Sequence, residues 1–208
     1  GNRLWGGRGG RAVVDVEEHR RESVLVEVAG PAGVVPLLLS AGFHVHHDIA
    51  TTVAKFVDVT TSHTLGPDLV LARLGATRLS SHGLFTDDRI VLAASGSSHV
   101  KAMNDVNQAA LYLSNVLGRQ VHVGHLGGKG TPLNDVVAEL KLGHEGRVLA
   151  STYLLAPGYF RDQALACGAD YVADPLLSAS PEQGLVDLVI DRYRAAAHDF
   201  CTIGHFNE

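Results

Sequence analysis

From Ile90 onward, short apolar runs alternate with longer amphipathic ones, and this rhythm limits the possible folds more than any other feature of the chain. Ile90–Ala94, Val121–Leu126, Arg147–Leu155 and Tyr171–Pro175 are predicted as strands, and their apolar character suits strands covered on both faces of a parallel sheet. Between them the pattern predicts a helix from about Val100 to Leu117 and a second, capped by Thr131, running to Leu142. A short helix follows the Ala156-Pro157-Gly158 turn and ends at Gly168, and a last one runs from Pro181 to about His198. Four strands alternating with four helices imply an α/β fold, a doubly wound parallel sheet with right-handed crossovers.

The upstream stretch VPLLLSAGFHVHHDI, Val35 to Ile49, follows the same logic. A continuous apolar run reads as a buried strand and turns at Ala41-Gly42, where glycine tolerates angles a larger residue resists. His44, His46 and His47 come next, then Asp48 and a helix-like run to Phe56. Ligands of open α/β sheets sit outside the carboxyl ends of the strands, and imidazole serves both metal binding and proton transfer near neutral pH. This strand end is therefore the predicted active centre. Around it, Val24–Ala29 and Val57–Thr60 read as strands, the former carrying one acid, Glu27. The turn Leu65-Gly66-Pro67-Asp68 opens a helix to about Leu79, and the polar break from Ser80 to Arg89 reads as a linker. Ala12–Glu22 is ambiguous between strand and charged helix, and residues 1–11 resist assignment.

The two parts repeat. LLLSAGF before His44 aligns with YLLAPGY before Phe160, setting Gly42 against Gly158. GPDLVLARL after Leu65 resembles PEQGLVDLVIDRY after Ser180, and Glu27 falls against His125. Two related halves, 1–80 and 88–200, are expected, with a cleft where their strand ends face each other. Gly42 and Gly158 stand 116 positions apart but Glu27 and His125 only 98, so the first half is about 18 residues short. That matches a missing helix with its loops, and a partner for Ile90–Ala94 would lie before residue 1. The expectation is a first half that is incomplete, either joined across absent segments or truncated.

Composition narrows the function classes. A net charge of −5 without any Lys/Arg run argues against nucleic acid as a partner. Cys167 and Cys201 are far apart with no CxxC spacing, which disfavours a disulfide framework or structural zinc. No run approaches the roughly 18 apolar residues of a membrane span and no signal peptide opens the chain, so no membrane and a cytoplasmic address are expected. The Gly96–Ser98 loop lacks the lysine of a P-loop, no GxGxxG follows a strand, and Ser95 has no G-x-S-x-G setting.

The run PLLLSAGFHVHHDI, with VLVEVAGP before it and LGPDLVL after it, resembles the sirohydrochlorin chelatases, which insert cobalt or ferrous iron into sirohydrochlorin for cobalamin or sirohaem. The second half resembles the back half of the long, two-repeat members through IVLAASGSS, STYLLAPGYF and ADYVADPL. The resemblance implies that His44 matches the family histidine after the third strand and Glu27 the acid near the metal. These two are the expected catalytic and metal-holding residues. The family's other histidine has Ser95 as its second-half counterpart, and Phe160 is the counterpart of His44, so the second half resembles a degenerate site. His125 is expected to be a remnant of the repeat.

Metallation removes two pyrrole protons and delivers a divalent ion, Co²⁺ or Fe²⁺ as substrate, with no further cofactor implied. A neutral histidine can hold the ion or accept a proton, and a carboxylate adds charge. The ligand set should be open, since a closed shell traps the metal. Glu27 is either a buried functional acid or an edge residue facing water. Ser40, Gly42, His46 and His47, with the Ser95–Ser98 loop, are the nearest candidates for binding the carboxylate-rimmed macrocycle, although at least one of His46 and His47 is as readily exposed. The other class open to this sequence is a non-catalytic tetrapyrrole or metal binder of the same fold. A monomer and a homodimer both remain open.

Overall fold

The computed structural model describes residues 32–42, 49–56, 59–177 and 180–203, the last six by backbone only. Two parallel sheets are present among them. In the first, β1 (Ala32–Val34) pairs with β2 (Val59–Thr61), Gly33 opposite Thr60. The second contains β3 (Arg89–Ala94), β4 (Val121–His125), β5 (Val148–Tyr153) and β6 (Tyr171–Val172) in the order β4-β3-β5-β6. All three of its pairings are parallel. From β3 the chain passes to one side and from β5 to the other, so the expected doubly wound sheet is observed, with its switch point between β3 and β5.

The central strands are apolar throughout because both faces are covered. Leu92 and Ala94 face one core, shared with Val106, Ala109 and Leu113 of α3 (Val100–Leu117). Val91 and Ala93 face another, built with Leu133, Val136, Val137 and Leu140 of α4 (Leu133–Lys141). Alternate residues of one strand thus enter two separate cores, which is why period-two polarity is absent.

Two helices tie the sheets together. The helix α2 (Leu69–Ser81) is capped by Asp68, whose carboxylate accepts from the Val70 N–H at 2.9 Å. Its Leu71 and Leu74 join the core of Leu92, Ala94 and Tyr153. A Cβ at Gly75 would stand 3.1 Å from Ser151 Oγ, so the missing side chain lets α2 lie close on β5. The last helix, α6 (Gln183–Ile203), runs back over the first sheet, where Thr60 Oγ1 donates to the Ala196 carbonyl at 2.9 Å. Arg192 of α6 donates to the carbonyls of Thr64 and Leu65 and to the Asp68 carboxylate, fixing the turn between β2 and α2.

Several local expectations are corrected. The first strand among the described residues is Ala32–Val34, the expected strand Val24–Ala29 lies outside them, and Val35–Leu39 has no ladder pairing. Pro36 has no N–H to give a ladder. The run's apolar residues still enter the core: Val35, Leu37 and Leu39 pack on the Leu92 cluster. The helical run after it is a four-residue α1 (Ala50–Val53). Thr131 does not cap α4. Pro132 occupies that position, and the Thr131 carbonyl instead accepts from the His125 N–H at 2.9 Å. The polar stretch Ser80–Arg89 is anchored, not a loose tether. Asp88 is buried within it and accepts from Arg147 Nη2 at 2.7 Å and Nε at 2.9 Å. The fourth strand of the second sheet is confined to two residues, and α6 starts at Gln183, two residues beyond Pro181.

Candidate functional site

The switch point between β3 and β5 is where an open parallel sheet offers a crevice, and the segment preceding the histidines is docked there. Leu38, Leu39 and Ala41 are each held by a different element. The Leu38 carbonyl accepts from the Leu65 N–H at 2.9 Å, in the turn before α2. Tyr153, the last residue of β5, donates its hydroxyl to the Leu39 carbonyl at 3.0 Å. Asp105, in the second turn of α3, accepts from the Ala41 N–H at 2.8 Å. Ser40 is half-buried and its carbonyl accepts from the Gly42 N–H at 3.0 Å, a tight turn. A Cβ at Gly42 would stand 3.7 Å from Ser97 Oγ and 4.0 Å from the Ala102 Cβ. Of the predicted site residues, Ser40 and Gly42 are therefore brought to the carboxyl edge of the second sheet. His44, His46, His47 and Glu27 lie outside the described residues.

Neither Asp105 nor Tyr153 was distinguishable in the sequence as a neighbour of this segment. Asp105 sits mid-helix among polar residues, and Tyr153 reads as one more strand residue. Burial raises the Tyr153 phenol above its usual range, and the negative charges of Asp105 and Asp68 add to the rise. The hydroxyl therefore stays protonated and can only serve this carbonyl as a donor.

The corresponding region of the second half is closed by its own loop. The residues between β4 and α4 fold back over the loop after β3: Leu126 N–H donates to the Ala94 carbonyl at 2.8 Å and Lys129 N–H to the Ser97 carbonyl at 3.3 Å. Gly96 has φ +84, and a Cβ there would collide with the Gly127 carbonyl oxygen, so only glycine permits the crossing. Gly127 in turn lies beside Phe160, with 3.6 Å from its Cβ position to Phe160 Cε1. Ser97 Oγ accepts from the His99 N–H at 3.1 Å, a local turn and not a phosphate cradle. Ser95 and Phe160 thus line a region filled by the chain's own glycines.

His125 ends β4 beside a hollow of about 300 Å³ that Asn134 and Gln163 also line. The residue is 7% exposed, its Nδ1 has no partner among the described residues, and burial pulls its pKa below the ordinary imidazole value. Among the described residues no three His, Cys, Asp or Glu side chains gather as a metal site. No helix among them is long and apolar enough to cross a membrane.

Two linked parallel sheets, with the glycine turn of one seated on the switch point of the other, define this as the α/β fold of the sirohydrochlorin chelatases. SirB from Bacillus subtilis with Fe³⁺ superposes with a TM-score of 0.70 at 22% identity, over 86% of this chain and 75% of that one. The sirohydrochlorin chelatase SirB from Bacillus subtilis subspecies spizizenii in complex with cobalt gives 0.62 at 20% identity, over 86% and 73%. CbiX, described as the terminal enzyme for biosynthesis of siroheme in denitrifying bacteria, gives 0.58 at 16%, over 80% and 76%. No protein-family model and no curated protein sequence matches the chain.

Proposed function

We propose that the chain is a sirohydrochlorin chelatase of the two-repeat type, acting in the cytoplasm and inserting Co²⁺ or Fe²⁺ into the macrocycle. Its two halves are 1–80, which carries the site, and 88–200, which carries the degenerate one. One observation supports this above the others: the turn at Ser40–Gly42, two residues before His44, is seated at the switch point of a chelatase-fold sheet. The filled region around Ser95, Gly127 and Phe160 supports a single working site in the first half.

In the reaction two pyrrole N–H bonds break, the metal forms bonds to the ring nitrogens, and two protons leave. His44 in its neutral form holds the incoming ion or takes a proton, and Glu27 supplies a second oxygen ligand and negative charge. One histidine and one glutamate, alone or with a further histidine, keep the ligand set open so that the ion can transfer to the tetrapyrrole. Ser40, Gly42, His46 and His47 would meet the carboxylate-bearing rim.

The test is to mix the protein with sirohydrochlorin and Co²⁺ or Fe²⁺ and follow the tetrapyrrole absorbance. Insertion should run well above the uncatalysed control and His44→Ala should abolish the acceleration while the fold survives. Activity should fall below about pH 6.5, the reference pKa of imidazole, because a protonated ring neither binds the ion nor accepts a proton. Insertion at the control rate together with tight tetrapyrrole binding would replace this reading with a non-catalytic binder, and a profile flat to pH 5 would remove His44 from both roles.

A further inference from the structure

We infer that the hollow beside His125 is an oxyanion-binding site, which seats a small carboxylate or tetrahedral oxyanion between the end of β4, the start of α4 and the helix α5 (Tyr159–Leu165). The proposed metallation makes no use of this place, and the inference stands whether or not the chain inserts metal. Backbone contacts bring the walls together. The bond from the His125 N–H to the Thr131 carbonyl and a parallel bridge between His125 and Pro132 lay the end of β4 along the start of α4. A Cβ at Gly124 would stand 2.8 Å from the Leu133 Cα, so glycine is what lets the helix begin this close to the strand. Gln163 and Ala166 close the hollow from the side of α5.

The polar groups left over around this hollow are donors. Pro132, the N-cap of α4, offers no side-chain acceptor, and its carbonyl takes the N–H groups of Asp135 and Val136. The Leu133 and Asn134 N–H groups, the first two of the helix, have no acceptor among the described residues. Free N–H groups at the positive end of a helix favour an anion, yet every helix has such an end. Two orphaned side chains on the same hollow set this one apart. His125 is 7% exposed and its Nδ1 bonds nothing. Gly130 lies against the opposite edge of the ring, where an added Cβ would stand 2.6 Å from Nε2, so Nδ1 is on the edge turned away from that loop. Gln163 donates from Nε2 to the Tyr159 hydroxyl at 2.8 Å while its buried Oε1 has no partner. Turned over about its amide, the same side chain accepts from the Tyr159 O–H and presents its NH₂ to the hollow. An oxyanion has lone pairs enough for all of these donors, whereas a cation would meet the positive end of α4. No carboxylate opposes it: Asp135 and Asp162, in the first turns of α4 and α5, are exposed and do not line the hollow. A volume of about 300 Å³ with Leu126 and Ala166 as apolar wall suits a small molecule carrying one such group.

Nuclear magnetic resonance of the full chain tests this, with sulfate and acetate added separately at constant ionic strength. At least one anion should give saturable downfield shifts of the Leu133 and Asn134 amides and move the His125 ring signals. Saturation by acetate alone assigns a carboxylate ligand, and by sulfate alone a tetrahedral one. His125→Leu and Gln163→Leu should each weaken binding about tenfold, the loss of one hydrogen bond to a charged group. Gln163→Glu is the decisive variant, because it sets a carboxylate of the same shape where the anion would sit. Binding should vanish there while the amide spectrum stays that of the folded chain, and this variant carries the test if His125→Leu does not fold. Shifts that fail to saturate with either anion, or binding that survives Gln163→Glu, would overturn the inference.

Discussion

Replacing Asp88 with alanine tests how the start of the second sheet is held. The Asp88 side chain has no exposed surface and accepts three bonds: from Phe85 N–H at 2.7 Å and from Arg147 Nε and Nη2 at 2.9 and 2.7 Å. Arg147 also donates to the Gly83 carbonyl at 2.7 Å, and its guanidinium sits 4.3 Å over the Phe85 ring. Asp88→Ala therefore leaves the Phe85 N–H and the Arg147 cation without that acceptor. Breaking a fully buried pair costs about 3–5 kcal/mol, and hydrogen bonds to charged groups about 1.5–3 kcal/mol each without adding fully. The Arg147 side chain keeps 30% of its surface, so water recovers part of its solvation, which places the loss near the bottom of the first range, at about 3 kcal/mol. At about 2–4 °C per kcal/mol for a chain of this size, Tm should fall by roughly 6–12 °C.

The loss also has a pH signature. The Arg147 hydrogen bond, followed by the Phe85 N–H and the nearby positive charges, holds the Asp88 carboxyl below its ordinary 3.8, against an opposing effect of burial. A lowered carboxyl pKa contributes stability that is complete above the unfolded value and disappears as pH falls through the folded one. Urea unfolding followed by circular dichroism should thus show the full difference between wild type and Asp88→Ala at pH 7, narrowing below about pH 4. Asp88→Ala/Arg147→Met should be more stable than Asp88→Ala, because the stranded cation is gone. A single-variant loss under about 1 kcal/mol, or a difference that persists unchanged in acid, would refute the argument.

Two further outcomes are expected. Gly124→Ala would set a Cβ 2.8 Å from the Leu133 Cα and 2.6 Å from its Cδ1, so α4 must move off β4. The cost should be about 1–3 kcal/mol, and unfolding indistinguishable from wild type would show that the contact yields freely. His125 is buried neutral with its pKa lowered by desolvation, so the unfolded chain takes up a proton that the folded chain resists as pH falls below 6.5. Wild type should lose stability through this range faster than His125→Asn in parallel urea titrations, and equal pH slopes would exclude His125 as the source.

Much of the chain from Asp68 onward was legible because its signals are local. Apolar strands without alternation, the 18-residue amphipathic α3 and the Asp68 cap each follow from neighbouring residues, and each is found within a residue or two of expectation. The exceptions are short or edge elements. Thr131 looks like a cap by residue type, yet its carbonyl is engaged by His125. Val35–Leu39 is as apolar as any strand but packs its side chains without a ladder. Burial, which the sequence encodes, and pairing, which requires a neighbour, part company there.

The sequence by itself determined the α/β class, the doubly wound order's ingredients and the glycine turn that precedes His44, because periodicity and turn chemistry act over a few residues. Only the tertiary structure decided that α6 crosses back to the first sheet, that the Ser80–Arg89 stretch is locked by Asp88, and that Asp105 and Tyr153 grip the turn from the other half. Those contacts join residues 59 to 136 positions apart, and side-chain type alone carries no record of a partner so distant.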